Sequence, residues 1–164
     1  ELAAFVAPDA RKAGVEIDLT LPPAPLVVDA DRILLEQVLF NLMRNAIEAM
    51  AATPRATRHL DVAAHLRPPD ESAGKGPHHA GGDVVVEVAD RGPGIPPDVA
   101  EKLFSPFFST KPEGMGMGLN ICRSIVELHQ GRLEFSARPG GGTVFTLTLP
   151  AATPRPDDEP EEAR

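Results

Sequence analysis

The feature that most constrains the fold is the segment from Arg32 to Ala52, which predicts one helix about 30 Å long at about 1.5 Å per residue. Asp29 or Asp31 can cap its N-terminus. Apolar residues are the majority in this segment, and a minority of polar residues falls within an arc of about 100°. These polar residues are Gln37, Asn41, Arg44, Asn45 and Glu48. Because asparagine is a poor helix former, the stripe indicates either a solvated face or the polar wall of a ligand pocket.

The rest of the chain alternates between short strands and short helices. Apolar alternation and β-branched residues predict strands at 15–21, 26–28, 60–66, 84–89, 132–137 and 143–149. Helices are predicted over 1–13 and 118–130, each followed by a glycine that can end it. The third and fourth strands, and the fifth and sixth, are expected to pair as hairpins. This order predicts an α+β fold with two layers, in which helices cover one face of a mixed, mostly antiparallel sheet.

Composition narrows the class of protein. The 164 residues suffice for one domain with a core, and 42% of them are apolar. The formal net charge of −8 argues against a nucleic-acid partner. A single cysteine, Cys122, excludes an internal disulfide and favours a reducing, cytoplasmic location. No apolar run approaches the roughly 18–20 residues of a membrane span, so no direct membrane contact is expected. Since the sequence begins at Glu1 without Met, we expect a fragment.

A glycine-containing turn follows the strand predicted at 84–89. Asp90 ends that strand and is followed by Arg91, Gly92, Pro93 and Gly94. An aspartate in this position can accept a hydrogen bond from an exocyclic amine such as that of adenine, and the glycines let the backbone approach a flat ring. The alternative is a plain turn after an edge strand, since Asp, Gly and Pro are all turn residues.

A second glycine run, Gly114–Gly118, leads directly into the helix at Leu119. Backbone N–H groups at such a helix start can face an anion, and the helix dipole adds attraction. Lys111 can add positive charge nearby. The spacing differs from the dinucleotide-binding fingerprint, and the Gly-Lys-Ser/Thr of a P-loop is missing. A flexible linker is the alternative. The amide oxygens of the polar stripe suit Mg²⁺, which prefers hard oxygen ligands.

Taken in order, these motifs resemble the catalytic domain of sensor histidine kinases, in the superfamily with gyrase B subunits, mismatch-repair ATPases and heat-shock chaperones. The matching segments are 36–46 (N box), 90–94 (first glycine box), 104–108 (F box), 114–119 (second glycine box) and Gly142-Thr143 (last motif). The resemblance covers about residues 15–149. The sequences of residues 41–50 and 107–132 are most similar to those of nitrogen-, oxygen- or dicarboxylate-sensing kinases. The resemblance implies the Bergerat fold with a flexible ATP lid at about 98–117.

The resemblance also implies roles by position, with ATP and Mg²⁺ as cofactors. Asn45 is expected to chelate Mg²⁺, Asn41 and Arg44 to line the same site, and Asp90 to bind the adenine amine. The other expected ATP-binding residues are Gly92, Gly94, Ile95, Phe104, Lys111, Gly114, Met115, Gly116, Met117, Gly118, Leu119 and Thr143. Phe104 and Phe107 are expected to anchor the lid. Glu48 stands where many relatives have Lys, so the phosphate-binding role shifts to Arg44 or Lys111, which with Asn41 and Asn45 form the expected catalytic set.

Asn41 separates two chemistries within this superfamily. The hydrolytic members have a glutamate one turn before the metal-binding asparagine, where it activates water. An amide cannot act as a general base near neutral pH, so we expect phosphoryl transfer to a histidine rather than hydrolysis. None of the five histidines is followed by the Glu-x-x-x-Pro pattern of the family's acceptor helix. The acceptor is therefore expected on a separate dimerisation domain.

The resulting organisation has three parts. Residues 1–14 are expected to be a linker helix from an upstream dimerisation domain, 15–150 the ATP-binding catalytic domain, and 151–164 a disordered acidic tail. Expected partners are that upstream domain and, indirectly, a response regulator, while the isolated domain is expected to be monomeric. Two alternatives are a serine kinase of the anti-sigma type, which shares the fold, and a nucleotide-binding pseudokinase that serves only protein contacts.

Overall fold

The structure, a computed structural model, describes residues 2–69, 81–109 and 118–152. Its helices are α1 (Leu2–Ala13), α2 (Arg32–Ala49), α3 (Pro97–Ala100) and α4 (Gly118–Leu128). Its strands are β1 (Glu16–Thr20), β2 (His59–Arg67), β3 (Asp83–Asp90), β4 (Arg132–Ala137) and β5 (Thr143–Pro150). They form one five-stranded sheet in the order β1-β2-β3-β5-β4, in which only the β1–β2 pair is parallel. The predicted α+β fold with a mixed, mostly antiparallel sheet is confirmed, as are both predicted hairpins.

The core lies between the helices and alternate residues of the strands. Helix α2 buries five residues, Val38, Leu42, Met43, Ala46 and Ile47. Strand β5 buries Phe145, Leu147 and Leu149 in the same cluster, while the residues between them are half-buried. This period of two is what a strand with one covered face requires. Helix α4 adds Cys122, Ile125 and Val126, so α2 and α4 share one apolar layer with the sheet.

Helix α1 packs against α2 and belongs to the same core. Val6 is fully buried and Ala10 is 3% exposed. Gly14 ends the helix in the left-handed region (φ 67°), as the sequence predicts. The guanidinium of Arg58 then donates to the carbonyl oxygens of Ala13, Ala51 and Thr53. Because one side chain caps the ends of two helical segments, the C-terminus of α1 is held to the end of α2. That residues 1–14 derive from an upstream domain stays a prediction.

Three local predictions are wrong. Residues 26–28 form no strand; only an isolated bridge joins Val28 to Ala151, because the prolines at 22, 23 and 25 leave little extended chain that can donate hydrogen bonds. Helix α2 ends at Ala49, and a single 3₁₀ turn, Met50–Ala52, replaces its predicted last turn. The segment after Asp90, to which no helix or strand is assigned from the sequence, contains α3, which starts after Pro96 with Pro97 at a position that tolerates proline.

His129 connects the end of α4 to the start of α2. Its Nδ1 lies 2.7 Å from the carbonyl oxygen of Ile125, and its Nε2 accepts the backbone N–H of Asp31 at 3.0 Å. Since a carbonyl only accepts, Nδ1 carries the proton and Nε2 is the acceptor. Asp31 itself caps α2 through a bond from the N–H of Leu34 to its Oδ1. These bonds give His129 a structural role at the C-terminus of α4.

None of the helices within residues 2–69, 81–109 and 118–152 is both long enough and apolar enough to cross a membrane.

The burial of α2 generates a stability prediction. Leu42 is fully buried, so Leu42→Ala is expected to lower the free energy of unfolding by about 2–5 kcal/mol through lost apolar burial and a residual cavity. Ile33, on the same helix, is 75% exposed, so Ile33→Ala is expected to change it by less than about 0.5 kcal/mol. Urea denaturation followed by circular dichroism measures both. Equal effects of the two substitutions would contradict the assignment of the buried face.

Candidate functional site

The polar stripe of α2 lies at the border of the core. Asn41 and Asn45 are half-buried, whereas Gln37, Arg44 and Glu48 are exposed. Arg44 and Glu48 form an i,i+4 ion pair, with 3.0 Å between Nε and Oε1. An exposed ion pair of this kind contributes little stability, but it pairs Glu48, the carboxylate of the stripe, with the guanidinium of Arg44. The two amides are therefore the groups of this stripe that combine partial burial with hydrogen-bonding capacity.

Asn41 contacts the other helix of the apolar layer. Its Nδ2 lies 3.7 Å from Sγ of Cys122 in α4, and Sγ lies 3.9 Å from the carbonyl oxygen of Val38 in α2. Cys122 is four residues from the start of α4 at Gly118, about one helical turn. The start of α4, which follows the glycine run, is thus one turn away from the amide of Asn41.

Asp90 is the buried acid of the site. It ends β3, is 3% exposed, and its Oδ1 accepts the backbone N–H groups of Gly92 at 2.8 Å and Thr143 at 3.3 Å. Burial raises the pKa of Asp90 above its ordinary 3.8, while the bonds from Gly92 and Thr143 and the charge of Arg138 act in the opposite direction. A carboxylate held in this way presents a strong hydrogen-bond acceptor in a buried position.

Close packing around Asp90 explains the glycines of both neighbouring turns. A Cβ on Gly92 would lie 2.9 Å from Oδ1 of Asp90 and 3.1 Å from the carbonyl oxygen of Ala49. Gly142 has φ 108°, and a Cβ there would overlap the carbonyl oxygen of Asp90. Gly94 also has a positive φ of 81°. The turn after β3 therefore rests on the end of α2 on one side and on the turn before β5 on the other.

These contacts bring three predicted segments together along α2. Asn41 contacts α4, Ala49 contacts the turn at Gly92, and Asn45 lies halfway between them. Ala49 is eight positions after Asn41, which corresponds to about 12 Å of helix. The two amides and the turn that follows Asp90 therefore lie along α2, and α4 contacts the Asn41 end of this stretch.

Phe104 and Phe107 differ in their surroundings. The Phe104 ring centroid is 5.9 Å from that of Phe135, whose ring in turn lies 6.1 Å from Phe145, and the guanidinium carbon of Arg123 is 5.3 Å from the Phe104 centroid. Phe107 is 79% exposed with φ 63°. The predicted anchoring by Phe104 agrees with this aromatic contact, whereas anchoring by Phe107 is wrong, because its side chain packs against no part of the core.

The remaining predicted residues divide into two groups. Ile95 and Leu119 are half-buried and pack against the core, and Gly118 is the exposed first residue of α4. Lys111, Gly114, Met115, Gly116 and Met117 lie outside the described residues. Within the described part of the chain, no group of three or more His, Cys, Asp or Glu could hold a metal ion, so a cation here would depend on amide oxygens and on ligand oxygens.

Two contributors to the site were missed from the sequence. The first is Arg138, on the turn between β4 and β5. Its positive charge acts to lower the pKa of Asp90, and its Nη2 lies 3.3 Å from Oδ2 of Asp61. Arg91 reaches the same Oδ2 at 3.6 Å. The second is Cys122, to which no role at this site is assigned from the sequence. Neither has a local sequence signal, because each acts on a residue of a distant segment.

A cleft of about 490 Å³ lies elsewhere, between α4 and β4. It is lined by Phe104, Arg123, Glu127, Gly131, Arg132, Leu133, Glu134 and Phe135. It shares Phe104 with the predicted set but neither the stripe of α2 nor Asp90. The convergence of Asp90, the amides and the start of α4 therefore defines the candidate site, and the cleft between α4 and β4 does not.

Comparison with known proteins identifies the class. Residues 30–153 match the family described as histidine kinase-, DNA gyrase B-, and HSP90-like ATPase, and the chain belongs to this family of ATP-binding domains. The C4-dicarboxylate transport sensor protein DctS of Rhodobacter capsulatus is 51% identical over 92% of the chain, and the sensor protein FixL of Bradyrhizobium diazoefficiens is 43% identical over 87%. The chain spans 21% and 26% of the length of these two relatives.

A solved structure gives the same result at the level of one domain. The nucleotide-free catalytic domain of histidine kinase ThkA superposes with a TM-score of 0.72 and 33% identity, covering 91% of this chain and 87% of that one. Because that match is nearly complete on both sides, the fold is that of a histidine kinase catalytic domain.

The two glycines before β5 provide a test of the packing around Asp90. Gly140 and Gly142 both have positive φ, but a Cβ on Gly140 meets open space. Gly140→Ala is expected to cost about 1–2 kcal/mol of stability from backbone strain alone, and Gly142→Ala more, because Asp90 must also move. Thermal denaturation compares the two variants. A smaller loss for Gly142→Ala than for Gly140→Ala would contradict the described contact.

The raised pKa of Asp90 predicts a pH dependence. The native state binds this proton more readily than the unfolded chain, so the contribution of Asp90 to stability is fully present below the unfolded pKa, near 3.8, and is lost as pH rises through the raised native pKa. Relative to Asp90→Asn, the wild-type domain should therefore lose stability as pH rises across that window. Urea denaturation of both proteins in a pH series measures the difference. A constant difference across the window would contradict the effect of burial.

Proposed function

We propose that the chain binds Mg²⁺-ATP along α2 and transfers the γ-phosphate to a histidine on a separate dimerisation domain. The observation that carries this proposal is the presence of two half-buried amides, Asn41 and Asn45, between Asp90 and the start of α4. Hydrolysis requires a base that activates water, and an amide supplies none near neutral pH. Phosphoryl transfer depends mainly on positioning and charge neutralisation, which this arrangement can provide.

At the adenine end, Asp90 would accept the exocyclic amine. Its burial favours a strong, specific hydrogen bond, and the N–H groups of Gly92 and Thr143 hold Oδ1 in one orientation. Gly94 and Ile95 follow directly and would border the ring. A base without an amine donor would leave a buried acceptor unpaired, which is costly, so Asp90 would also give specificity for adenine.

At the phosphate end, the side-chain oxygen of Asn45 would contribute to Mg²⁺ together with phosphate oxygens and water, since Mg²⁺ is commonly held by few protein ligands. Bound Mg²⁺ would neutralise phosphate charge. The N-terminus of α4 favours anions through its free N–H groups and dipole. Arg44 would first have to break its ion pair with Glu48. Lys111 would therefore be the cation that contacts the phosphates directly, and Arg44 would be a second cation at the edge of the site.

The acceptor and partners follow from the family and from the relatives' names, which describe sensor proteins. A dimerisation domain of the parent kinase would supply the histidine, and a response regulator would receive the phosphoryl group. In this proposal residues 1–14 connect to that domain, 15–150 form a catalytic unit that is monomeric when isolated, and 151–164 form an acidic tail. The unit works in the cytoplasm, and its parent can carry a membrane anchor.

Titration calorimetry with ATP tests the two ends of the site separately. Asn45→Ala is expected to lower Mg²⁺-ATP affinity at least about tenfold while retaining adenosine binding, because the metal ligand is removed and Asp90 remains. Asp90→Ala is expected to weaken both ATP and adenosine. Ser136→Ala, an exposed change on β4, is the control. Wild-type Mg²⁺-ATP affinity in Asn45→Ala would refute the assignment of the metal ligand.

The chemistry is tested with Asn41→Glu and a supplied acceptor. Wild-type protein is expected to hydrolyse ATP slowly on its own and to label a histidine-containing dimerisation domain with ³²P. Asn41→Glu is expected to raise hydrolysis without acceptor by at least about tenfold, since it introduces a general base.

The ³²P label on the dimerisation domain should be lost in acid and kept in base, as for phosphohistidine. An acid-stable label would instead indicate a serine kinase, and ATP binding without any transfer would indicate a pseudokinase.

A further inference from the structure

We propose that Cys122 is a positioning residue that orients the side-chain amide of Asn41. Its meaning for catalysis rests on the proposed function, but the orientation itself is a property of the fold. Cys122 lies on α4 and Asn41 on α2, so this thiol connects the two helices that border the candidate phosphate end. Nothing in the motif pattern of the sequence points to it, because the two residues are 81 positions apart.

The thiol has one partner for its proton and another for its lone pair. Sγ lies 3.9 Å from the carbonyl oxygen of Val38, which can only accept, and 3.7 Å from Nδ2 of Asn41, which can only donate. Both distances are in the range of weak hydrogen bonds to sulfur. The S–H therefore points to Val38, and sulfur accepts from the amide.

Burial keeps this arrangement in a single protonation state. Cys122 is fully buried, and the loss of solvation raises the pKa of its thiol, while the bond from Asn41 acts in the opposite direction. At neutral pH the residue is a thiol, so it keeps the proton that Val38 accepts. A reversed amide would place its oxygen against a sulfur that has no proton left to donate.

The contact with sulfur decides whether Asn41 presents a hydrogen-bond acceptor or a hydrogen-bond donor on the side of its amide that faces away from Cys122. With Nδ2 on the sulfur, Oδ1 is the atom that the amide presents to the other side, where it can meet an Mg²⁺-bound water or another donor. Without the sulfur contact, rotation about the last side-chain bond would allow Nδ2 to take that place. Cys122 would thus determine that Oδ1 of Asn41, and not Nδ2, is available beside Asn45, without itself touching the ligand.

The test uses Cys122→Val, which fills the space without an acceptor, and Cys122→Ser, which keeps donor and acceptor. The side-chain NH₂ signals of Asn41 are identified in ¹H–¹⁵N spectra by their loss in Asn41→Ala. We expect these signals to shift in Cys122→Val and to stay near their wild-type positions in Cys122→Ser. Ser124→Ala, an exposed change on the same helix, is the matched control. If Cys122→Val does not fold, Cys122→Ala gives the same readout.

Calorimetry adds the functional readout. Cys122→Val is expected to weaken Mg²⁺-ATP binding about 3- to 10-fold, to leave adenosine binding unchanged, and to have little further effect in the Asn41→Ala background, since residues that act through each other are not additive. Wild-type Asn41 signals in Cys122→Val, or additive losses in the double variant, would overturn the inference. Shifted signals in a domain that fails to bind Mg²⁺-ATP would uphold the positioning and overturn the proposed function instead.

Discussion

The structure depends on the burial of one face of α2 between the sheet, α1 and α4. Val38, Leu42 and Ala46 are nearly inaccessible to solvent, and apolar burial of this kind is the main favourable term in folding. Since a helix is rigid, fixing its apolar face also fixes the direction of every other side chain on it. Asn41 and Asn45 therefore come to lie at the border of the core, where they are partly shielded from water and still open to a ligand.

The second constraint is the packing around Asp90. A buried carboxylate is costly unless it is hydrogen-bonded, and here two backbone N–H groups from two different turns satisfy Oδ1. The same bonds join the end of β3 to the start of β5, and the contact of Gly92 with Ala49 joins both to α2. The glycines that a ligand would approach are thus also required by the protein's own backbone, so structure and proposed binding impose the same residues.

Much of the architecture follows from local patterns. The two hairpins, the long helix and a cap at Asp29 or Asp31 were predicted, because strand alternation and capping depend on neighbouring residues; the structure places the cap at Asp31. Two of the failures also have a local origin. The prolines before residues 26–28 limit this segment to an isolated bridge at Val28, and the aromatic pattern around Phe107 does not reveal that its backbone adopts a positive φ. Lys111 and the glycines at 114 and 116 lie outside the described residues, so their roles stay predictions.

By itself, the sequence determined the class of the protein and the kind of chemistry to expect, since the order of the motifs and the amide at Asn41 are properties of the linear chain. The tertiary structure alone decided which distant groups act on the predicted ones. The bond from Asn41 to Cys122 spans 81 residues, that from Asp31 to His129 spans 98, and that from Thr143 to Asp90 spans 53. No local pattern encodes such pairs, because they form only when the sheet order and the packing of α2 on α4 bring the segments together.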